Sequence, residues 1–124
     1  SESFESLESG EITNYAPIAS ALKKGHVCYI KFYATWCPHC NAIEEDWGKI
    51  YSEFDNEGVH GKAVRVFQVQ DTASKVHKAF SAKHDFSVDG FPTIIKLDTS
   101  GITGYDGERS YSGFKNFIVG SNNS

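Results

Sequence analysis

The chain has 124 residues, of which 40% are hydrophobic and 14% aromatic, and its formal net charge is −4 at pH 7. This length and composition fit one folded domain with a buried core rather than a disordered chain. The negative charge disfavours binding to nucleic acid through a basic surface, and no apolar run approaches the ~20 residues of a membrane-spanning helix.

The two ends of the chain are expected to lie outside the domain proper. Residues 1–10 are rich in Ser and Glu, so we expect an arm that is partly mobile and that carries a short first strand over Phe4 to Glu8. A single domain is predicted for residues 11–120, and residues 121–124 are predicted to be a C-terminal tail.

The first half of the domain is predicted to begin with a helix and a strand. Thr13 or Asn14 is the expected N-cap of the helix, which ends near Gly25. The apolar stripe of this helix consists of Ile18, Ala19 and Leu22. Val27 to Ala34 follows as a nearly continuous apolar run, which indicates a strand buried on both faces.

A second amphipathic helix is predicted from Cys37 to Phe54. Its apolar positions recur in steps of three and four, as on one face of a helix that packs against a sheet. These positions are Cys40, Ile43, Trp47, Ile50 and Phe54.

The second half is predicted to contain a strand, a helix, a hairpin and a closing helix. In chain order these are Ala63 to Val69, Thr72 to His84, Thr93 to Asp98 with Ile102 to Tyr105, and Gly113 to Val119. Asp71 or Thr72 is the expected cap of the middle helix. The complete order, βαβαβαββα, predicts an α/β fold with a central mixed sheet flanked by helices on both faces.

The candidate site is the stretch Trp36-Cys37-Pro38-His39-Cys40, which joins the buried strand to the second helix. Two cysteines at this spacing are close enough to form a disulfide. The sulfur of Cys37 lies where unpaired N–H groups and the positive end of the helix favour a thiolate. Cys37 is therefore the candidate nucleophile, and Cys40, one turn into the helix, is the candidate resolving thiol.

The two residues between the cysteines have separate expected roles. Pro38 is tolerated in a first helical turn, where the amide has no intrahelical acceptor, and it stiffens the loop. His39 can donate a hydrogen bond or carry charge beside the Cys37 thiolate. Stabilising the thiolate stabilises the reduced form, so the Cys37–Cys40 disulfide is expected to be oxidising.

The cysteines also admit other interpretations, namely a structural disulfide and a metal site. A structural disulfide is disfavoured because closing a two-residue loop stabilises a fold little. A metal site is not expected, since zinc needs two more ligands and the five histidines show no finger-like spacing with the pair. Cys28 is left over as the third cysteine, either as a small buried apolar side chain or as a regulatory or intermolecular thiol.

Three stretches in order resemble one family. They are Lys31-Phe32-Tyr33-Ala34-Thr35-Trp36-Cys37-Pro38-His39-Cys40, Gly90-Phe91-Pro92-Thr93 and Tyr105-Asp106-Gly107-Glu108-Arg109. The first resembles the active-site strand and loop of the thioredoxin superfamily, and the second resembles its cis-proline loop. The third resembles the turn before the last helix of protein disulfide isomerase catalytic domains. The resemblance covers roughly residues 12–119 and implies the thioredoxin fold.

The resemblance implies further site residues. Pro92 would be cis and packed against the cysteine loop, where it would block metal capture. The backbone of Phe91 would then pair with an extended substrate. Trp36 and Phe91 would form an apolar rim, with core packing as the alternative. Arg109 resembles the arginine that lowers the pKa of the second cysteine in isomerase domains, with an ordinary surface arginine as the alternative.

Two positions depart from the family pattern. Relatives usually carry a kinking proline where this chain has Glu45, so we expect a straighter helix. Many relatives carry a buried carboxylate where this chain has Lys31, although some isomerase-like relatives also have lysine. Proton transfer at Cys40 is then open between water, Lys31 and Arg109, and Glu44 or Glu45 is a candidate partner for Lys31.

The resemblance implies a thiol–disulfide oxidoreductase that forms or isomerises disulfides in cysteine-containing proteins. It would need no cofactor beyond its own disulfide, would exchange electrons with a further redox partner, and is expected to be a monomer. The alternatives are a thioredoxin-like reductase and a peptide-binding chaperone module with an idle cysteine pair. The isomerase-like features favour the endoplasmic reticulum lumen or another part of the secretory pathway.

Overall fold

The computed structural model describes residues 10–120, which build a five-stranded mixed sheet in the order β2-β3-β1-β4-β5. The strands are β1 (Val27–Tyr33), β2 (Gly58–Val59), β3 (Lys62–Gln70), β4 (Thr93–Asp98) and β5 (Gly101–Tyr105). β1 pairs in parallel with β3 and antiparallel with β4, so it is the central strand. The predicted mixed sheet is confirmed, and the sequence pattern missed only the two-residue β2 within the described range.

Helices cover both faces of this sheet, as predicted. They are α1 (Ala16–Lys23), α2 (Pro38–Ala42), α3 (Glu44–Phe54), α4 (Ser74–His84) and α5 (Tyr111–Gly120). Buried side chains of α1 and α4 pack in one apolar cluster, and those of α3 and α5 pack in another. No helix within residues 10–120 is long and apolar enough to cross a membrane.

The central strand β1 supplies side chains to both clusters. Cys28, Ile30 and Phe32 point to the α1 and α4 side, whereas Val27 and Tyr29 point to the α3 and α5 side. All of these residues are buried, which confirms the prediction of a strand buried on both faces. The next residue on the α3 side is Lys31, which is charged but equally buried.

The prediction of one continuous helix from Cys37 to Phe54, straighter than is usual in the family, is wrong because the helix breaks at Ile43. Helix α2 ends before Ile43, which has φ −106° and ψ 5°, and α3 starts after it. The N–H of Ile43 donates to the carbonyl of Cys40 at 3.2 Å, a tightened last turn, while its own carbonyl accepts the N–H of Trp47 at 2.9 Å.

Packing and charge explain why the helix breaks at Ile43 without a proline. The Ile43 side chain is buried in the cluster beneath α3 and α5, so tertiary contacts hold this residue in place. The first turn of α3 then contains three acidic residues, Glu44, Glu45 and Asp46. Negative charge there stabilises the N-terminal end of a new helix dipole. The absence of proline removes one cause of a kink but not these two.

The expected helix caps also need correction. The Asn14 side chain does accept the N–H of Ala16 at 2.9 Å, although the residue in the cap position of α1 is Tyr15. In the α1 stripe Ala19 is exposed, and Ala21 is buried instead. Helix α4 starts after Ala73 without a side-chain cap. The strand expected over residues 4–8 lies outside the described residues.

Two helical glycines give a paired test of this packing. A Cβ atom on Gly48 in α3 would meet nothing within 4 Å, so Gly48→Ala should raise the free energy of unfolding by about 0.5–1 kcal/mol. A Cβ atom on Gly113 in α5 would overlap the Glu108 carbonyl and the Tyr105 hydroxyl. Gly113→Ala should therefore lower it by about 1–3 kcal/mol. Urea unfolding of both variants measures the signs, and equal signs would contradict the described packing of α5.

Candidate active site

The junction between β1 and α2 places Cys37 at the start of a helix. Cys37 is the N-cap of α2, with φ −97° and ψ 113°, and Pro38 occupies the first turn as predicted. The sulfur of Cys37 accepts the backbone N–H of Cys40 at 3.2 Å. An N–H directed at sulfur stabilises the negative charge of a thiolate at that place. His39 is exposed in the same turn.

The two thiols differ only slightly in exposure. Both are free in this structure, and Cys37 is 4% exposed whereas Cys40 is 2% exposed. The order matches the expectation, but the nucleophile candidate is more enclosed than its position before the helix suggests. The thiol of Cys37 donates to the carbonyl of Phe91 at 3.5 Å, so the backbone of a second loop lies against the sulfur.

Burial raises the pKa values of Cys40 and Cys28 above that of an exposed thiol. Burial, followed by the hydrogen bond with Cys37, raises the pKa of Cys40 to about 11. Burial likewise raises the pKa of Cys28, whose side chain is inaccessible in the α1 and α4 cluster, to about 12. The interpretation of Cys28 as a buried apolar side chain is confirmed.

The loop before β4 has the form that the resemblance implies. The Phe91–Pro92 peptide bond is cis, and Pro92 is buried. Thr93 closes the loop by donating its hydroxyl to the carbonyl of Gly90 at 2.6 Å. Arg109 is exposed and donates to the carbonyl of Pro92 at 3.4 Å. The structure thus places Arg109 on this loop, and its expected action on Cys40 stays a prediction.

Trp36 lies on the surface beside the cysteines rather than in the core. It is 68% exposed, and its ring packs edge-to-face against Phe91 with centroids 6.0 Å apart. Its indole N–H donates to the carboxylate of Asp71 at 3.1 Å. The two rim residues are therefore adjacent, as expected, and their contact with a substrate stays a prediction.

Asp71 is a site residue that the sequence argument missed, because we expected it to cap α4. The signal lies in the sheet: Tyr33 at the end of β1 pairs with Gln70 at the end of the parallel strand β3. The carboxyl ends of parallel neighbours meet at one edge, so the residue after β3 lies beside the loop after β1. The Asp71 N–H accordingly donates to the carbonyl of Tyr33 at 2.8 Å.

A cavity of about 150 Å³ lies behind the cysteine loop. Its walls are formed by Lys31, Tyr33, Thr35, Cys40, Asn41, Glu44 and Gln68. Lys31 is 1% exposed, and burial lowers its pKa, whereas Glu44, Cys40 and Glu11 favour its charged form. Within residues 10–120 no carboxylate forms an ion pair with Lys31. The expected pairing of Lys31 with Glu44 or Glu45 is therefore not observed among these residues.

Residues 10–120 contain no group of three or more His, Cys, Asp and Glu side chains placed to hold a metal ion. The site there consists of two thiols, a histidine, two aromatic rings and a proline loop, which is a set of groups suited to exchange between sulfur atoms.

Comparisons with known proteins agree with this description. Residues 12–119 match the model of the family described as Thioredoxin. The chain is 33% identical to protein disulfide-isomerase A6 of Homo sapiens over 104 residues, which are 82% of this chain and 22% of that protein. It is 33% identical to protein disulfide-isomerase like 2-2 of Arabidopsis thaliana over 92 residues, 73% of this chain and 18% of that protein.

Solved structures show the same fold. The J-Trx1 fragment of ERdj5 has a TM-score of 0.73 at 19% identity, covering 97% of this chain and 54% of that one. The first thioredoxin domain of mouse protein disulfide-isomerase A4 has a TM-score of 0.67 at 22% identity, covering 90% of this chain and 74% of that one.

The matched residues, the sheet order and the cysteine pair together place this chain in the thioredoxin family. Its relatives named as protein disulfide isomerases support thiol–disulfide oxidoreductase activity in general. The chain spans about a fifth of the length of these curated relatives.

Alkylation tests the assignment of the three thiols. Iodoacetamide added to the native reduced protein at pH 7 should modify Cys37 first, because Cys37 borders the rim of Trp36 and Phe91. With a pKa of about 11, only about one Cys40 side chain in 10,000 is ionised at that pH, and Cys28 is also sealed in the core. Peptide mapping by mass spectrometry identifies the site. Modification of Cys28 or Cys40 at the rate of Cys37 would contradict the assignment.

Proposed function

We propose that this domain forms or isomerises disulfides in protein substrates through the Cys37–Cys40 pair. The observation that carries the proposal is the position of the Cys37 sulfur, which accepts a helix N–H and lies 3.5 Å from the Phe91 carbonyl. A nucleophile and a stretch of backbone that can pair with an extended chain are thereby side by side. Pairing with that backbone would align a substrate cysteine with Cys37.

The proposed oxidation of a substrate has two steps. A substrate thiolate attacks the Cys37 sulfur of the Cys37–Cys40 disulfide, a mixed disulfide forms, and Cys40 leaves as a thiolate that takes up a proton. A second substrate thiolate then attacks the substrate sulfur of the mixed disulfide, the substrate disulfide forms, and Cys37 leaves reduced. The substrate loses two electrons and the cysteine pair gains them. Isomerisation returns the substrate to the same oxidation state.

The rest of the site supports binding and redox tuning in this proposal. Trp36 and Phe91 present an apolar rim for substrate side chains, and the hydrogen bond to Asp71 fixes the exposed indole. Pro38 stiffens the first helical turn, and His39 is close enough in sequence to act on the Cys37 thiolate. Pro92 and Arg109 together hold the loop that presents the Phe91 backbone.

We further infer an oxidising direction and an oxidising compartment. A thiolate-stabilising helix start and histidine favour the reduced pair, which makes the disulfide a stronger oxidant. An oxidising compartment such as the endoplasmic reticulum lumen is where such a pair persists as a disulfide. The names of the relatives as disulfide isomerases support this inference. The redox partner would be a second dithiol or disulfide carrier.

A redox titration separates the oxidase or isomerase from the reductase. Equilibration with glutathione buffers, followed by acid quenching and alkylation, measures the potential of the Cys37–Cys40 pair. We expect a value well above that of thioredoxin, about −270 mV, and towards that of protein disulfide isomerase, about −180 mV. A value at the thioredoxin end would favour the reductase and remove the oxidase proposal.

Refolding of a reduced, unfolded protein in a glutathione buffer separates the enzyme from a chaperone. The wild type should speed the recovery of native disulfides, and Cys37→Ala should abolish the acceleration because no mixed disulfide can form. Cys28→Ala is the matched control, since it removes a thiol outside the site. Equal acceleration by wild type and Cys37→Ala would show that the pair is idle and favour the chaperone module.

A further inference from the structure

Lys31 is a lysine in the middle of the central strand with almost no access to solvent. It is 1% exposed, and its ammonium lies 4.9 Å from the centre of the Tyr33 ring. Within residues 10–120 no ion pair compensates its charge. A buried cation destabilises a fold unless an opposite charge or hydrogen bonds offset its desolvation. Lys31 lies next to the reactive loop, so a negative charge that forms there during the reaction would offset the cost of burying the ammonium.

The groups that face Lys31 come from three elements. Glu11, before α1, already accepts hydrogen bonds from the Tyr33 hydroxyl and from the Gln68 amide, the latter at 2.7 Å. Glu44, at the start of α3, borders the shared cavity but is itself exposed to solvent. Cys40, in α2, borders the same cavity and is buried. Of these groups, Cys40 alone changes its charge in the thiol–disulfide cycle.

We propose that Lys31 is a positioning residue whose ammonium stabilises the Cys40 thiolate across the cavity that both residues line. The inference rests on the proposed function, because it concerns the step in which Cys40 reacts. When Cys40 attacks or leaves, it is a buried thiolate, and Lys31 then provides a buried cation beside it.

The resolving step begins from a mixed disulfide between Cys37 and a substrate, with Cys40 as a free thiol. The Cys40 thiol gives its proton to solvent, and the thiolate attacks the Cys37 sulfur of the bond between Cys37 and a substrate. The Cys37–Cys40 disulfide forms, and the substrate leaves as a thiolate that takes a proton from solvent. Over the two steps that form and then resolve the mixed disulfide, the cysteine pair loses two electrons and the substrate disulfide gains them. In the reverse direction Cys40 is the leaving thiolate.

The electrostatics of the two groups agree with this geometry. Burial raises the pKa of Cys40 to about 11, and the charge of Lys31 acts in the opposite direction. Burial lowers the pKa of Lys31, and the charge of Cys40 acts in the opposite direction. Each group therefore favours the ionised form of the other, and removing the cation should leave a thiol that ionises only at higher pH.

Glutathione disulfide is the probe for the test. In a Cys40→Ala background, the rate at which reduced Cys37 acquires glutathione isolates the first step. With both cysteines present, rapid acid quenching and mass spectrometry follow the loss of the mixed disulfide, which is the resolving step. Both rates are measured from pH 6 to pH 9 for wild type, Lys31→Met, Lys31→Gln and Lys31→Arg. Lys49→Met, which removes an exposed lysine from α3, is the matched control.

We expect both neutral variants to leave the first step unchanged and to slow resolution at pH 7 by about threefold for each unit by which the pKa of Cys40 rises, because the tenfold loss of thiolate is partly offset by its greater nucleophilicity. The pH profile of resolution should move to higher pH, and Lys31→Arg and Lys49→Met should stay near wild type. Neutral variants that fold and resolve at the wild-type rate with an unshifted profile would overturn the inference, as would equal slowing of both steps.

The two proposals fail in distinguishable ways. If the wild type forms no mixed disulfide at Cys37, the proposed function fails and the inference fails with it. If the wild type forms and resolves the mixed disulfide but Lys31→Met and Lys31→Gln behave identically to it, only the role of Lys31 is overturned. Near-ultraviolet circular dichroism identifies folded variants, so a loss of rate in a folded neutral variant that Arg restores cannot be ascribed to unfolding.

Discussion

The pairing of β1 with two different neighbours is the constraint on which the site depends. β1 runs parallel to β3, with Tyr33 opposite Gln70, and antiparallel to β4, with Phe32 opposite Thr93. The loop after β1, the loop after β3 and the loop before β4 therefore meet at one edge of the sheet. The backbone pairing of the strands brings the cysteine loop, Trp36 and the proline loop together, and their side-chain contacts then hold them in place.

The same register places the two thiols differently, which underlies the separate roles that we propose for them. Cys37 ends the extended segment after β1 and caps α2, so its sulfur faces both a helix N–H and the Phe91 carbonyl. Cys40 lies one turn further on and faces the interior, above the face of β1 that carries Lys31. The order of attack and resolution that we propose follows from this placement.

The helix break at Ile43 is consistent with this placement of Cys37 and Cys40. A short α2 carries Cys40, and α3 begins anew with its acidic first turn and buries Trp47 and Ile50 against the sheet. Between α2, α3 and β1 a cavity remains that Lys31 and Cys40 both line. The buried Lys31 thus borders the same cavity as Cys40, the thiol whose charge changes in the step that we propose.

Much of the fold was predictable because its signals are local. The predicted bounds of β1 and β4 lie within a residue of their observed ends, and the candidate site residues followed from motifs that resemble a known family. The break at Ile43 was not predictable from the missing proline, because buried contacts and the first-turn charges of α3 decide it. Asp71 required the register of β1 against β3, and the cavity around Lys31 required the packing of helices over the strand.

Trapping a mixed disulfide tests the central claim most directly. The Cys40→Ser variant, incubated with an unfolded peptide that carries one activated cysteine, should form a stable covalent adduct on Cys37, located by peptide mapping. The substrate backbone next to that cysteine should protect amides of the loop around Phe91 from hydrogen exchange. An adduct on Cys28, or no adduct while unfolded protein reacts readily, would contradict the placement of the nucleophile at this edge of the sheet.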